Sequence, residues 1–164
     1  MRVFKGIHNY LQKLSTIKFI ITIVLLMYLL IIPFIPLSHL YQKNIGQIGG
    51  PFSINTSLAY EIIVGSILSP ILETAIFQYA IIEFLSSINI LKGKSILIII
   101  ISAVLFGIPH SYSYIYIFYG FIMGLLLAYS YLTYKSKNFS AFWVVFWIHC
   151  IRNTISTIFI IFYH

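Results

Sequence analysis

The chain has 164 residues, 60% of them hydrophobic and 8% charged, with a mean hydropathy of +1.00 and a net charge of +7. A soluble domain of this size cannot hide so much apolar surface, so the composition excludes a soluble globular protein and indicates an integral membrane protein. The basic residues fall mainly in the gaps between apolar runs, which points to anchoring at the cytoplasmic face and excludes nucleic acid as the partner that the charge serves.

The apolar runs are long and do not alternate, which selects membrane helices over a β-barrel. Arg2, Lys5, Lys13 and Lys18 precede a first run over residues 19–37. No small-x-small cleavage site follows it, so it reads as a retained span ended by Pro33 and Pro36 rather than as a signal peptide. With the loop that follows, it forms an N-terminal anchor over residues 1–56. Further runs cover 57–90, 95–110, 114–134 and 140–162. The sequence thus predicts an all-α, polytopic membrane helical bundle of about five spans, forming a single membrane domain over residues 1–164. The second run is too long for a simple crossing: about 34 residues of straight helix would reach about 50 Å against a hydrocarbon core of about 30 Å. Pro70 removes a helix hydrogen bond near its middle, so a kink is expected there, with the part before Ser69 near the outer interface and the crossing running from Pro70 to Leu91.

Lys and Arg alternate between gaps. The N-terminal segment has four, the 39–55 loop only Lys43, the next turn Lys92 and Lys94, the 111–113 turn none, and the following turn Lys135 and Lys137. The positive-inside rule then puts the N-terminus in the cytoplasm and the end of the fifth span outside. Gly120 and Gly124 have the small-xxx-small spacing that permits close helix approach, although two glycines in a glycine-tolerant membrane helix fit equally well. The single cysteine, Cys150, excludes an internal disulfide. His8, His39 and His164 lie in flanks or loops and receive no functional role.

Polar chemistry at depth is confined to three stretches. Glu73 lies inside an apolar run, where a carboxylate costs about 2.5–3.5 kcal/mol on insertion scales and faces a partner or a cavity. Its alternative role is a structural carboxylate bonding a neighbouring helix. His110 ends the third run, with Phe106 one turn behind on the same face. His149 and Asn153 are four residues apart on a helix, hence on one face, and both can donate hydrogen bonds. Arg152 lies about 100° round the helix from Asn153 and is not required to join them.

In order, these stretches resemble the three motifs of the CPBP family, the CAAX-protease and bacteriocin-processing intramembrane peptidases also called the Abi family. The first, Glu-Glu-x-x-x-Arg after an apolar-Pro step, corresponds to Ser69-Pro70-Ile71-Leu72-Glu73-Thr74-Ala75-Ile76-Phe77-Gln78. The second, Phe-x-x-x-His, corresponds to Phe106 through His110, and the third, His-x-x-x-Asn, to His149 through Asn153. The similarity spans about residues 57–157, with Tyr119 to Gly124 similar to the family's glycine-spaced helix. Three positions depart from the pattern: Thr74 replaces the second Glu, Gln78 replaces the Arg, and Pro109 directly precedes His110. Thr74 and Gln78 are one helical turn apart, so the pair is expected to exchange an ion pair for a hydrogen bond.

The resemblance implies an intramembrane endopeptidase acting on a hydrophobic peptide or membrane protein, set in the lipid bilayer of a bacterial cell membrane. Glu73, His110, His149 and Asn153 are the implied catalytic residues, supported by Thr74, Gln78 and Phe106. Two schemes are compatible with it. In a zinc scheme, Glu73, His110 and His149 are ligands, but Thr74 cannot then act as the separate base. In the favoured metal-free scheme, Glu73 takes a proton from a water held with His110, and His149 with Asn153 donates to the oxyanion. The alternatives from other classes are a non-catalytic bacteriocin-immunity or peptide-binding protein on the same scaffold, and an ion or proton carrier using the same residues.

Overall fold

A computed structural model describes residues 2–52, 56–137 and 140–163. Among these the chain is helical, with no strand. An amphipathic helix α1 (Arg2–Lys13) precedes α2 (Thr16–Ile31) and α3 (Phe34–Asn44). The long α4 (Leu58–Ser87) follows, then α5 (Ser95–Gly107), α6 (Tyr114–Lys135) and α7 (Ala141–Tyr163).

Three helices, α4, α6 and α7, are long and apolar enough to cross a membrane, and the bent pair of α2 and α3 makes up to four. The expected five spans are therefore not all present as full-length helices. The difference lies in α5, whose 13 residues extend about 20 Å. Its helix stops at Gly107, short of the run's predicted end, because Pro109 has no N–H with which to continue it. The first span also differs from expectation. Pro33 bends it by 42° instead of ending it, and the helix resumes through Pro36 to Asn44, so His39 is helical and not in a loop.

Helix α4 passes Pro70 without interruption, where the sequence predicts a kink that divides the run. Two π-wound segments, Glu61–Leu68 and Thr74–Ala80, flank an α-wound stretch, Ser69–Glu73. The Ser69 N–H donates to Val64 O, five residues back. In that register the donor for Gly65 O is residue 70, a proline without an N–H. Asn153 Nδ2, from α7, donates to Gly65 O instead, at 2.8 Å. The wider winding thus absorbs the proline, and α7 fills the vacated hydrogen bond.

Helix α7 is the hub and packs against α2, α4 and α6. Phe19, Ile23, Met27, Ile82, Leu127, Val144, Val145 and Ile148 fill the shared core. Large apolar side chains face outward, among them Leu25, Leu29, Leu72, Ile76, Phe84, Trp143 and Trp147, as a lipid-facing surface requires. The most extensive interface joins α5 to α6, and here the glycine spacing is structural. A Cβ on Gly124 would lie 2.9 Å from Ala103 Cα, and one on Gly120 would lie 3.2 Å from His110 Cγ. The two glycines seat α5 and its terminal histidine against α6.

Candidate active site

Glu73, Phe106, His110, His149 and Asn153 come from α4, the end of α5 with the turn after it, and α7. The deepest of the ionisable contacts joins Glu73 Oε2 to His149 Nε2, 3.6 Å apart. The separation exceeds a hydrogen bond, as is common for catalytic pairs before substrate arrives. His149 is buried, whereas the Glu73 carboxyl keeps partial exposure.

The Phe106 ring contacts both imidazoles. Its centroid lies 4.8 Å from that of His110 and 5.7 Å from that of His149. Phe77 braces it edge-on from α4 at 5.6 Å. His110 itself sits just past α5, where its N–H donates to Gly107 O at 3.0 Å. The turn folds the imidazole back so that Nδ1 lies 2.8 Å from Phe106 O. A carbonyl only accepts, so Nδ1 carries the proton and Nε2 presents a lone pair. Pro109 directly precedes His110 in this turn. It ends the helix, and the histidine caps a carbonyl that the ended helix leaves open. Tyr116 of α6 stacks on the other face of His110 at 6.0 Å and 17°.

Asn153 is committed on both sides of its amide. Its Oδ1 accepts from Arg152 Nη1 at 2.9 Å, and its Nδ2 donates to Gly65 O. Arg152, which the sequence left unplaced, joins the cluster: its guanidinium carbon lies 5.1 Å from the Tyr119 ring centroid, and its charge acts on Glu73 and His110. The signal was in the sequence, because Arg152 follows His149 by three residues and so shares its face. Measuring its angle from Asn153 alone hid it.

Thr74 and Gln78 are fully buried one turn apart, yet the expected hydrogen bond between them is not formed. Among the described residues Thr74 Oγ1 and both amide atoms of Gln78 have no partner, nor do Ser66 Oγ and His149 Nδ1. The π winding of Thr74–Ala80 changes the angle between positions four apart, which an α-helical estimate cannot foresee. No three His, Cys, Asp or Glu side chains among the described residues are grouped to hold a metal ion. Glu73, His110 and His149, the ligands of the zinc scheme, form no such group among the described residues.

Beside the cluster, an apolar cavity of about 320 Å³ opens between α2, α3 and α6. Phe34, His39, Gln42, Tyr116 and Tyr119 are among its lining residues, and the two tyrosines are those that touch His110 and Arg152. The profile of the family described as type II CAAX prenyl endopeptidase Rce1-like matches residues 55–155. No curated protein and no solved structure matches the chain.

Proposed function

The chain belongs to the Rce1-like type II CAAX prenyl endopeptidase family, and from that premise we propose that it hydrolyses a peptide bond in a hydrophobic, membrane-associated peptide or protein, with Glu73 as the base. Membership makes it an integral membrane protease at the level of the family. The observation that carries the finer reading is the pairing of Glu73 with buried His149, together with a His110 whose free Nε2 lone pair accepts from a water.

In this scheme a water donates one hydrogen bond to His110 Nε2 and its proton to Glu73. The water oxygen bonds to the scissile carbonyl carbon, and the carbonyl π pair moves to its oxygen. When the tetrahedral species collapses, the C–N bond breaks and Glu73 returns the proton to the leaving amine. His149 holds Glu73 in place and stabilises its charge. Asn153 acts through position, tying α7 to α4 and holding Arg152, since one of its N–H groups is already given to Gly65 O. Thr74, Gln78 and Phe106 shape the site without exchanging protons. The scheme as proposed routes no step through a metal. The apolar cavity beside Tyr116 and Tyr119 suits an apolar side chain of the substrate.

The test is cleavage of hydrophobic peptides by the protein in liposomes, with and without EDTA, for wild type and Glu73→Gln. The expected result is cleavage that survives EDTA and falls by at least about 10²-fold in Glu73→Gln, the scale of losing a positioned base. A peptide-binding or immunity protein would tolerate Glu73→Gln and release no product. Activity lost to EDTA and restored by one zinc per chain would overturn the metal-free scheme.

A further inference from the structure

We propose that Arg152 supplies the positive charge that faces the oxyanion, with Asn153 as the positioning residue that fixes it there. The proposal rests on the reading of Glu73 as the base of a peptide hydrolase. Nine of the ten Lys and Arg residues fall at helix ends and in flanking segments, and Arg152 is the one set within the apolar length of α7. A cation there costs about 2.5–3.5 kcal/mol on insertion scales, so the fold must compensate it.

That compensation is specific and incomplete. Nη1 donates to Asn153 Oδ1 at 2.9 Å, and the guanidinium lies over Tyr119. The backbone at Arg152 is pinned by Tyr28 of α2, whose hydroxyl donates to Arg152 O at 2.7 Å and lies 3.0 Å from Ser156 Oγ. Nε is buried and has no partner among the described residues, and the described ion pairs include no carboxylate within 4.0 Å of the guanidinium. A guanidinium offers five N–H donors in a rigid fork, and among the described residues one of them is given to Asn153 while Nε has no partner. Its charge nonetheless acts on Glu73, His110 and Tyr116.

These features match what transition-state stabilisation requires: fixed, partly desolvated donors aimed where negative charge develops, not where it already rests. A contact ion pair with Glu73 would neutralise the base. Held by Asn153 instead, Arg152 leaves Glu73 able to accept a proton. It can then receive the oxyanion when water adds to the carbonyl and the π pair moves onto oxygen. The latch reaches further, because the same Asn153 amide fills the hydrogen bond that Pro70 vacates in α4. The cation, the carboxylate helix and the histidine helix are thus tied through one side chain.

Two readouts test this in liposomes. In kinetics on a cleaved hydrophobic peptide, Arg152→Gln should lower kcat by about 10²–10³-fold while KM stays within about threefold, the range for losing an oxyanion donor. In binding, a phosphinate analogue of that peptide places anionic oxygens where the oxyanion forms. Wild type should bind it more tightly than the parent amide, and Arg152→Gln should lose that preference. An unchanged kcat, or a preference that is absent in wild type or retained in Arg152→Gln, would overturn the proposal. If Arg152→Gln does not fold, Arg152→Lys decides. It keeps the charge without the fork, so kcat should fall about tenfold, and a wild-type kcat and preference would contradict the account. A wild type that cleaves nothing would defeat the peptidase reading and this proposal with it, whereas a wild type that cleaves and an Arg152→Gln with unchanged kcat would defeat this proposal alone.

Discussion

At the scale of single residues, the buried hydroxyl of Thr74 sits next to Glu73 and forms no hydrogen bond among the described residues. An unsatisfied buried polar group carries a desolvation penalty of about 1–3 kcal/mol, whereas an apolar group of the same shape does not. Thr74→Val should therefore raise the thermal stability of the detergent-solubilised protein by up to about 1 kcal/mol. A loss of more than about 1 kcal/mol would mean that the hydroxyl serves a partner and that the site is wetter than the side-chain contacts indicate. Glu73, His110 and His149 were legible as candidates from depth alone, because polar side chains in long apolar runs stand out. What each residue touches was not. Asn153 was expected to face an oxyanion, yet its amide serves a carbonyl exposed by a proline 83 positions earlier, at Pro70. Arg152 shares the face of His149, which its spacing makes legible, but its seat over the Tyr119 ring is visible only in the structure.

Among the elements, α5 and α6 define how closely His110 can approach the rest of the site. A Cβ on Gly124 would lie 2.9 Å from Ala103 Cα and 3.2 Å from Ala103 O, backbone atoms that cannot turn aside, and 3.1 Å from Phe106 Cδ1. Overpacking of this kind costs about 1–3 kcal/mol. Gly124→Ala should lower stability by that amount, measured by thermal unfolding in detergent, and should reduce activity through displacement of Phe106 and His110. A variant as stable and active as wild type would show that the helices can separate freely and that the glycine clasp does not position the site. The small-xxx-small spacing was visible in the sequence, but spacing could not distinguish a clasp from two tolerated glycines. The winding of α4 was illegible for a different reason. Periodicity counts assume 3.6 residues per turn, so a proline in an overlong run reads as a kink, whereas wider π turns let the helix continue.

For the molecule as a whole, the lysine-bearing gaps converge on one end of the bundle. Lys137 Nζ reaches Leu14 O at 3.4 Å and lies over the Phe19 and Tyr134 rings, while Lys135 pairs with Glu83 at 2.6 Å. The junction of α1 with α2, the end of α4 and the end of α6 thus share that end. By the positive-inside rule that end is expected in the cytoplasm, with α7 running outward. A phosphatase reporter fused after α7 should be active outside the cytoplasm, and a reporter active only inside would reverse the orientation. Sequence counting found the gaps and their charge. It overcounted full-length spans because hydropathy cannot tell a 13-residue helix with a folded-back turn from a crossing. Within this arrangement the central claim is that Glu73 activates water for peptide-bond hydrolysis. The most direct measurement is mass spectrometry of peptide products formed in ¹⁸O-labelled water by the liposome-embedded protein in the presence of EDTA. The account predicts one ¹⁸O in each new carboxyl terminus for wild type and no labelled product above background for Glu73→Gln. Labelled product formed by Glu73→Gln at the wild-type rate would contradict it.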